Sequence, residues 1–143
     1  YRVRHLDTTS LYGGVAETLQ LLAARGVACG VVTNKPWEFS VSLLEHLGVR
    51  RYFASVIGGD SLASRKPDPE PLYVAIDECG AQRSLSVMVG DGETDIRAGK
   101  AAGIRTVAVT YGFRDAAALA PLAPDALIDS MTELVPALWP STN

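Results

Sequence analysis

The residues best suited to chemistry lie where an apolar run, Val87-Met88-Val89, ends in Gly90-Asp91-Gly92-Glu93-Thr94-Asp95. Three acids at the mouth of a buried strand are costly unless hydrogen-bond donors or a cation compensate them. Mg²⁺ is a natural compensating ion, because it takes oxygen ligands and keeps positions open for phosphate and water. The same residues also fit a plain strand-to-helix turn, with Asp91 opening the turn and Thr94 or Asp95 capping the helix. Taken alone, the segment accommodates both readings.

The elements that position these residues follow from apolar spacing and punctuation. Val15, Leu19 and Leu22 recur at helical spacing and predict a helix over 15–24 that stops at Arg25-Gly26. A continuous apolar strand follows from Val27 to Thr33, then a helix opened by Asn34-Lys35-Pro36 and running through Leu47. Val56-Ile57 predicts a short strand, and Pro69, preceded by Asp68 as N-cap, opens a helix to about Cys79. Ser86–Gly90, Thr94–Ala102 and Arg105–Val109 read as strand, helix and strand. A weaker helix near Asp115–Leu119, a strand at Ala126–Ile128 and a helix over Ser130–Leu138 close the chain. Alternation of short unbroken strands with helices predicts a Rossmann-like α/β fold, a parallel sheet between two helical layers. Ligands of such sheets bind beyond the carboxyl ends of the strands.

The residues just past those ends are Thr33-Asn34, Gly58-Gly59-Asp60 with Lys66 beyond it, Asp91 to Asp95, and Thr110-Tyr111-Gly112. Together they supply a hydroxyl, an amide, an ammonium and carboxylates, a set matched to a phosphoryl group held against a metal ion. Each member also has a structural reading. Thr33 and Asn34 fit a strand end and helix N-cap, Lys66 a solvated lysine, and Gly58-Gly59 a turn. Asp60, Asp68, Glu70 and Glu93 read as structural or surface acids, and His5 and His46 lack metal-ligand spacing. What favours the site is that these residues follow successive strands.

Composition narrows the partners. The 143 residues carry a net charge of −3 with scattered Lys and Arg, which gives no basic field for nucleic acid. No apolar run approaches a membrane span, so no membrane partner is expected. Cys29 and Cys79 read as reduced core thiols, which points to the cytoplasm. The first residue is Tyr1, an expectation that the sequence belongs to something longer.

Thr33-Asn34-Lys35-Pro36, Lys66-Pro67-Asp68-Pro69, and Gly90-Asp91 with Asp95 before an Ala/Gly-rich helix resemble the second, third and fourth motifs of the haloacid dehalogenase superfamily. Tyr12-Gly13-Gly14-Val15 and Val56-Ile57-Gly58-Gly59-Asp60 are closest to its phosphoglycolate phosphatase branch. The resemblance implies a Mg²⁺-dependent phosphatase of small phosphorylated metabolites, acting through an aspartyl-phosphate. It further implies that Thr33 and Asn34 bind the phosphoryl group and that Lys66 neutralises charge and holds the nucleophile. Asp91 would ligate Mg²⁺, and Asp95 would ligate it through water or support the site from behind.

The family's first motif, Asp-x-Asp-Gly-Thr, supplies nucleophile and general acid and does not occur in these residues. Asp7 is a poor substitute, with no apolar strand before it and no aspartate two residues on. The resemblance therefore implies that residues 1–12 end a cap or linker, that 13–143 form a partial core, and that the first central strand is missing from it. That strand belongs between the strands ending at Thr33 and Asp91. The alternative is that Tyr1–Asp7 fills the gap. A non-catalytic phosphate- and metal-binding regulatory module is the competing function. A response-regulator receiver ranks below both, because its acids precede its Thr and Lys.

Overall fold

The computed structural model describes residues 14–110 and 116–139. Helix α1 (Val15–Ala24) buries Val15, Thr18, Leu19 and Leu22 and ends at Gly26, whose φ of +75° suits a residue without a Cβ. Strand β1 (Cys29–Val32) pairs in parallel with β2 (Phe53–Ile57), and α2 (Trp37–His46) connects them. Helix α3 (Glu70–Glu78) leads to β3 (Val87–Gly90), and α4 (Glu93–Ala102) leads to β4 (Arg105–Val109). After the short α5 (Ala116–Leu119), β5 (Ala126–Ile128) pairs in parallel with β4, and α6 (Leu134–Leu138) follows.

The strands form two parallel sheets, β1-β2 and β3-β4-β5. Among the described residues no ladder joins β1 to β3, and this break is where the resemblance places its first strand. The alternative occupant, Tyr1–Asp7, lies outside the described residues, as do Tyr111 and Gly112. What unites the two sheets is their shared helical cover. One apolar cluster joins Val15, Leu19 and Leu22 to Val31 and Val56 of the first sheet and to Val107, Val109 and Ile128 of the second. The other joins Val32 and Ile57 to Met88 through Leu72, Ile76 and Ala98 of α3 and α4. Val31 and Val32 enter different clusters, the pattern of a strand buried on both faces.

Several boundaries differ from expectation for local reasons. Strand β2 begins at Phe53 rather than Val56, since its ladder with β1 starts at the Cys29–Phe53 pair, and Ser55, buried within it, is satisfied by a 2.6 Å hydrogen bond to Glu78. The expected helix over 130–138 is a 3₁₀ turn at Met131–Glu133 followed by α6, with Glu133 accepting the Ser130 backbone N–H at 2.9 Å. The N-cap of α3 is Pro69 rather than Asp68, and Asp68 sits just ahead of it, its carboxylate accepting the Glu70 N–H at 2.9 Å. Among the described residues no helix is long and apolar enough to cross a membrane.

Two predictions follow from the packing. Ile96 is fully buried on α4 beside Ala108 and Leu119, so Ile96→Ala should cost roughly 2–5 kcal/mol, read as a lowered urea midpoint at unchanged slope. Cys29 and Cys79 are free and half-buried, and burial pushes both thiols up. Less thiolate is then present at neutral pH, so iodoacetamide should label the native protein slowly, faster as pH rises, and faster still in denaturant. Equal native and denatured rates at neutral pH would refute this.

Candidate active site

The carboxyl ends of β1 and β3 open onto a cavity of about 130 Å³ lined by Val32, Thr33, Asn34, Lys35, Lys66, Thr94 and Asp95. Its centre is an ion pair: the Lys66 ammonium donates to Asp95 Oδ1, with both side chains 8% exposed. A buried pair of this kind is costly to desolvate and tolerable only when its remaining hydrogen-bonding capacity is met. Asp95 meets that condition. Its Oδ2 accepts the backbone N–H groups of Asp91 at 3.2 Å and Gly92 at 3.3 Å.

Those bonds follow from the local sequence. Gly92 is the N-cap of α4 and Asp95 the third helical residue, the position from which an acidic side chain reaches back to the cap N–H. Gly90 makes the approach possible, since a Cβ there would overlap the Asp95 side chain. Asp91, 3% exposed, sits at the turn between β3 and α4. The turn-and-cap reading holds in part: the N-cap is Gly92 rather than Thr94 or Asp95, and Asp95 supports it from the third helical position, which also aims its carboxylate.

Thr33 follows β1, its backbone N–H bonded to Ile57 O at 2.9 Å. Its hydroxyl accepts the Lys35 N–H at 3.2 Å and retains an O–H donor at the cavity. Asn34 is committed differently from expectation. Its Nδ2 donates to Lys66 O at 3.0 Å, and its Oδ1 accepts the Lys66 N–H at 3.2 Å. Both ends of the carboxamide thus hold one residue's backbone, beside the cis Lys66–Pro67 bond.

The loop after β2 braces this arrangement from below. Asp60 accepts the Trp37 N–H at 2.8 Å at the start of α2, and Gly59 donates to Lys35 O at 2.7 Å. A Cβ on Gly59 would overlap the backbone carbonyl of Asn34, and one on Gly58 the backbone of Trp37. Gly58-Gly59 is thus a turn, as its sequence suggests, that only glycine allows so close to the site. Lys35 and Thr94 also line the cavity, a role the motif spacing did not assign them.

Among the described residues no group of three or more His, Cys, Asp or Glu side chains could hold a metal ion. The cavity lining contains no thiol or imidazole, and the nearby acids are the oxygen donors Asp95 and Asp91. This donor chemistry fits Mg²⁺, which is commonly held by one or two carboxylates with water and phosphate. Both oxygens of Asp95 are already engaged, by Lys66 and by backbone N–H groups.

Parallel strands, a hydroxyl, a buried lysine and paired acids at the strand ends define a hydrolase-like α/β core, and the sequence model of the haloacid dehalogenase-like hydrolases matches residues 1–109. The chain belongs to that family. It is 45% identical over 132 residues to a phosphoglycolate phosphatase of Salmonella choleraesuis (strain SC-B67), covering 92% of this chain and 52% of that protein. A phosphoglycolate phosphatase of Escherichia coli (strain K12) is 42% identical over the same length. The crystal structure of a predicted phosphoglycolate phosphatase from Haemophilus somnus 129pt superposes with a TM-score of 0.86 at 34% identity, covering 92% of this chain and 58% of that one. The chain spans about half the length of the curated relatives it matches.

The Gly90 contact yields a direct test. Gly90→Ala should push Asp95 away from Lys66 and destabilise the protein by about 1–3 kcal/mol, the range for overpacking. A Gly90→Ala protein with unchanged stability and an unchanged Lys66–Asp95 contact in its crystal structure would show that the close approach is not constraining.

Proposed function

We propose that this chain is the core portion of a Mg²⁺-dependent phosphatase of small phosphorylated metabolites, with phosphoglycolate the first substrate to test. The observation that carries the reading is the buried Lys66–Asp95 pair on a polar cavity shared with Thr33 at the carboxyl ends of two parallel strands. The 42–45% identity to phosphoglycolate phosphatases supports the choice of substrate. Thr33 would donate its O–H to a phosphoryl oxygen, and Lys66 would offset the negative charge spread over the others. Asp95 would hold the Lys66 ammonium facing the cavity, and Asp91 would hold Mg²⁺. When bound, Mg²⁺ would supply charge neutralisation at the phosphoryl oxygens.

The attacking carboxylate and the general acid of the family's first motif do not occur in this sequence. Under this reading they come from further sequence of the same protein, and the 143 residues alone release no phosphate. The competing reading, a non-catalytic module that binds phosphate and metal, draws on that same missing motif.

The two separate in a phosphate-release assay with phosphoglycolate and Mg²⁺ on the full-length protein and on the 143-residue chain. Release by the full-length protein, abolished by a chelator and lowered about 100-fold or more by Lys66→Gln, is the expected result. No release by the full-length protein from any small monoester would favour the binding module. Asp91→Asn in the full-length protein should weaken Mg²⁺ binding by calorimetry while leaving the unfolding midpoint near wild type. Unaltered Mg²⁺ affinity would remove Asp91 from the metal site.

A further inference from the structure

We infer that Asn34 is a positioning residue that acts through Lys66 rather than a group that binds substrate. The inference rests on the phosphatase reading for its kinetic consequence and on geometry alone for its structural one. An exposed asparagine beside a phosphate-sized cavity would ordinarily be assigned to the ligand. Here its acceptor takes the Lys66 N–H and its donor reaches the Lys66 carbonyl, so one rigid carboxamide grips both backbone polar groups of a residue 32 positions away. Lys66 itself lies in the loop between β2 and α3, outside any helix or strand that could fix it. Its ammonium is nevertheless buried against Asp95 on α4. A flexible four-carbon side chain holds a fixed position only when both of its ends are held. Asp95 holds the ammonium end and Asn34 holds the backbone end.

Asn34 can serve as an anchor because it is itself anchored. The Thr33 N–H is tied to Ile57 O, the Lys35 carbonyl accepts the Gly59 N–H, and Gly59 lies flush against the Asn34 carbonyl. A chain of contacts therefore runs from the β1-β2 sheet through Asn34 to Lys66, and from Lys66 through Asp95 to α4 and β3. Because those two sheets share no ladder among the described residues, this chain sets the position of the ammonium relative to the β3 acids. A displacement of about 1 Å in a group that stabilises a transition state can cost ~100-fold in rate.

The test uses the full-length protein with Asn34→Ala, Asn34→Asp, Lys66→Gln and the Asn34→Ala/Lys66→Gln double variant. Amide hydrogen exchange reads the grip directly. Asn34→Ala should raise the exchange rate of the Lys66 N–H about 10-fold with other core amides unchanged, and Asn34→Asp, which keeps the acceptor, should restore protection. Unchanged Lys66 exchange in Asn34→Ala would overturn the inference. Phosphate release from phosphoglycolate reads the consequence. Asn34→Ala should lower kcat by roughly 10–100-fold in the otherwise wild-type protein, yet by less than about 2-fold in the Lys66→Gln background, because its effect passes through the lysine. Equal fold-losses in the two backgrounds would overturn the inference in favour of a direct substrate contact. Failure of the phosphatase reading looks different: the wild-type protein would release no phosphate, and the exchange arm would still decide the role of Asn34.

Discussion

The arrangement depends on one buried ion pair. Lys66 arrives from the loop after β2 and Asp95 from the start of α4 after β3, so their contact crosses the break between the two sheets. A buried pair is weak grounds for stability, since its desolvation offsets much of its attraction, and replacement by apolar groups is often neutral or better. Its presence is better explained by what it prepares. An ammonium held at a cavity wall by a carboxylate whose other oxygen is saturated by backbone N–H groups is fixed in place before any ligand arrives. Preorganised charge of this kind is worth more than the same charge on a mobile surface lysine, because it needs no reorganisation when negative charge develops.

Packing sets the position of that pair. Helices α3 and α4 pack on each other and on strands of different sheets, so the spacing of the β2 loop from the β3 turn is fixed by a shared apolar layer. Above it, glycines at 58, 59 and 90 remove the side chains that would otherwise keep the loops after β1, β2 and β3 apart. Packing supplies the coarse geometry and the glycines supply the close approach. Hydrogen bonds from Asn34, Asp60 and Asp95 then set the last ångström.

How much of this was legible in the sequence divides along physical lines. Helix α1 and strands β4 and β5 could be read residue by residue, because apolar runs and the turn residues that bound them, such as Gly26, Gly103 and Pro124-Asp125, act locally. Ser55 hid the start of β2, since its partner Glu78 lies on α3 and no local pattern announces it. The same limit applied at the site. Thr33, Lys66, Asp91 and Asp95 could be placed beyond the correct strands, and a cap at the start of α4 was expected, though at Thr94 or Asp95 rather than at Gly92 with Asp95 in support. The commitment of Asn34 to the Lys66 backbone was not legible, because it is a contact across 32 residues made by a loop with no periodicity. Lys35 and Thr94 were within the motifs, and only the cavity they line distinguishes them from their neighbours.

The central claim is that the Lys66 ammonium and the Thr33 hydroxyl form one phosphoryl site beside an Asp91 metal site. Crystals of the full-length protein grown with Mg²⁺ and tungstate, an unreactive phosphate mimic, test it most directly. The account predicts tungstate oxygens in hydrogen-bond contact with Lys66 Nζ and Thr33 Oγ1 and a Mg²⁺ ion coordinated by an Asp91 oxygen. Tungstate bound elsewhere with this cavity empty, or Mg²⁺ bound away from Asp91, would contradict it.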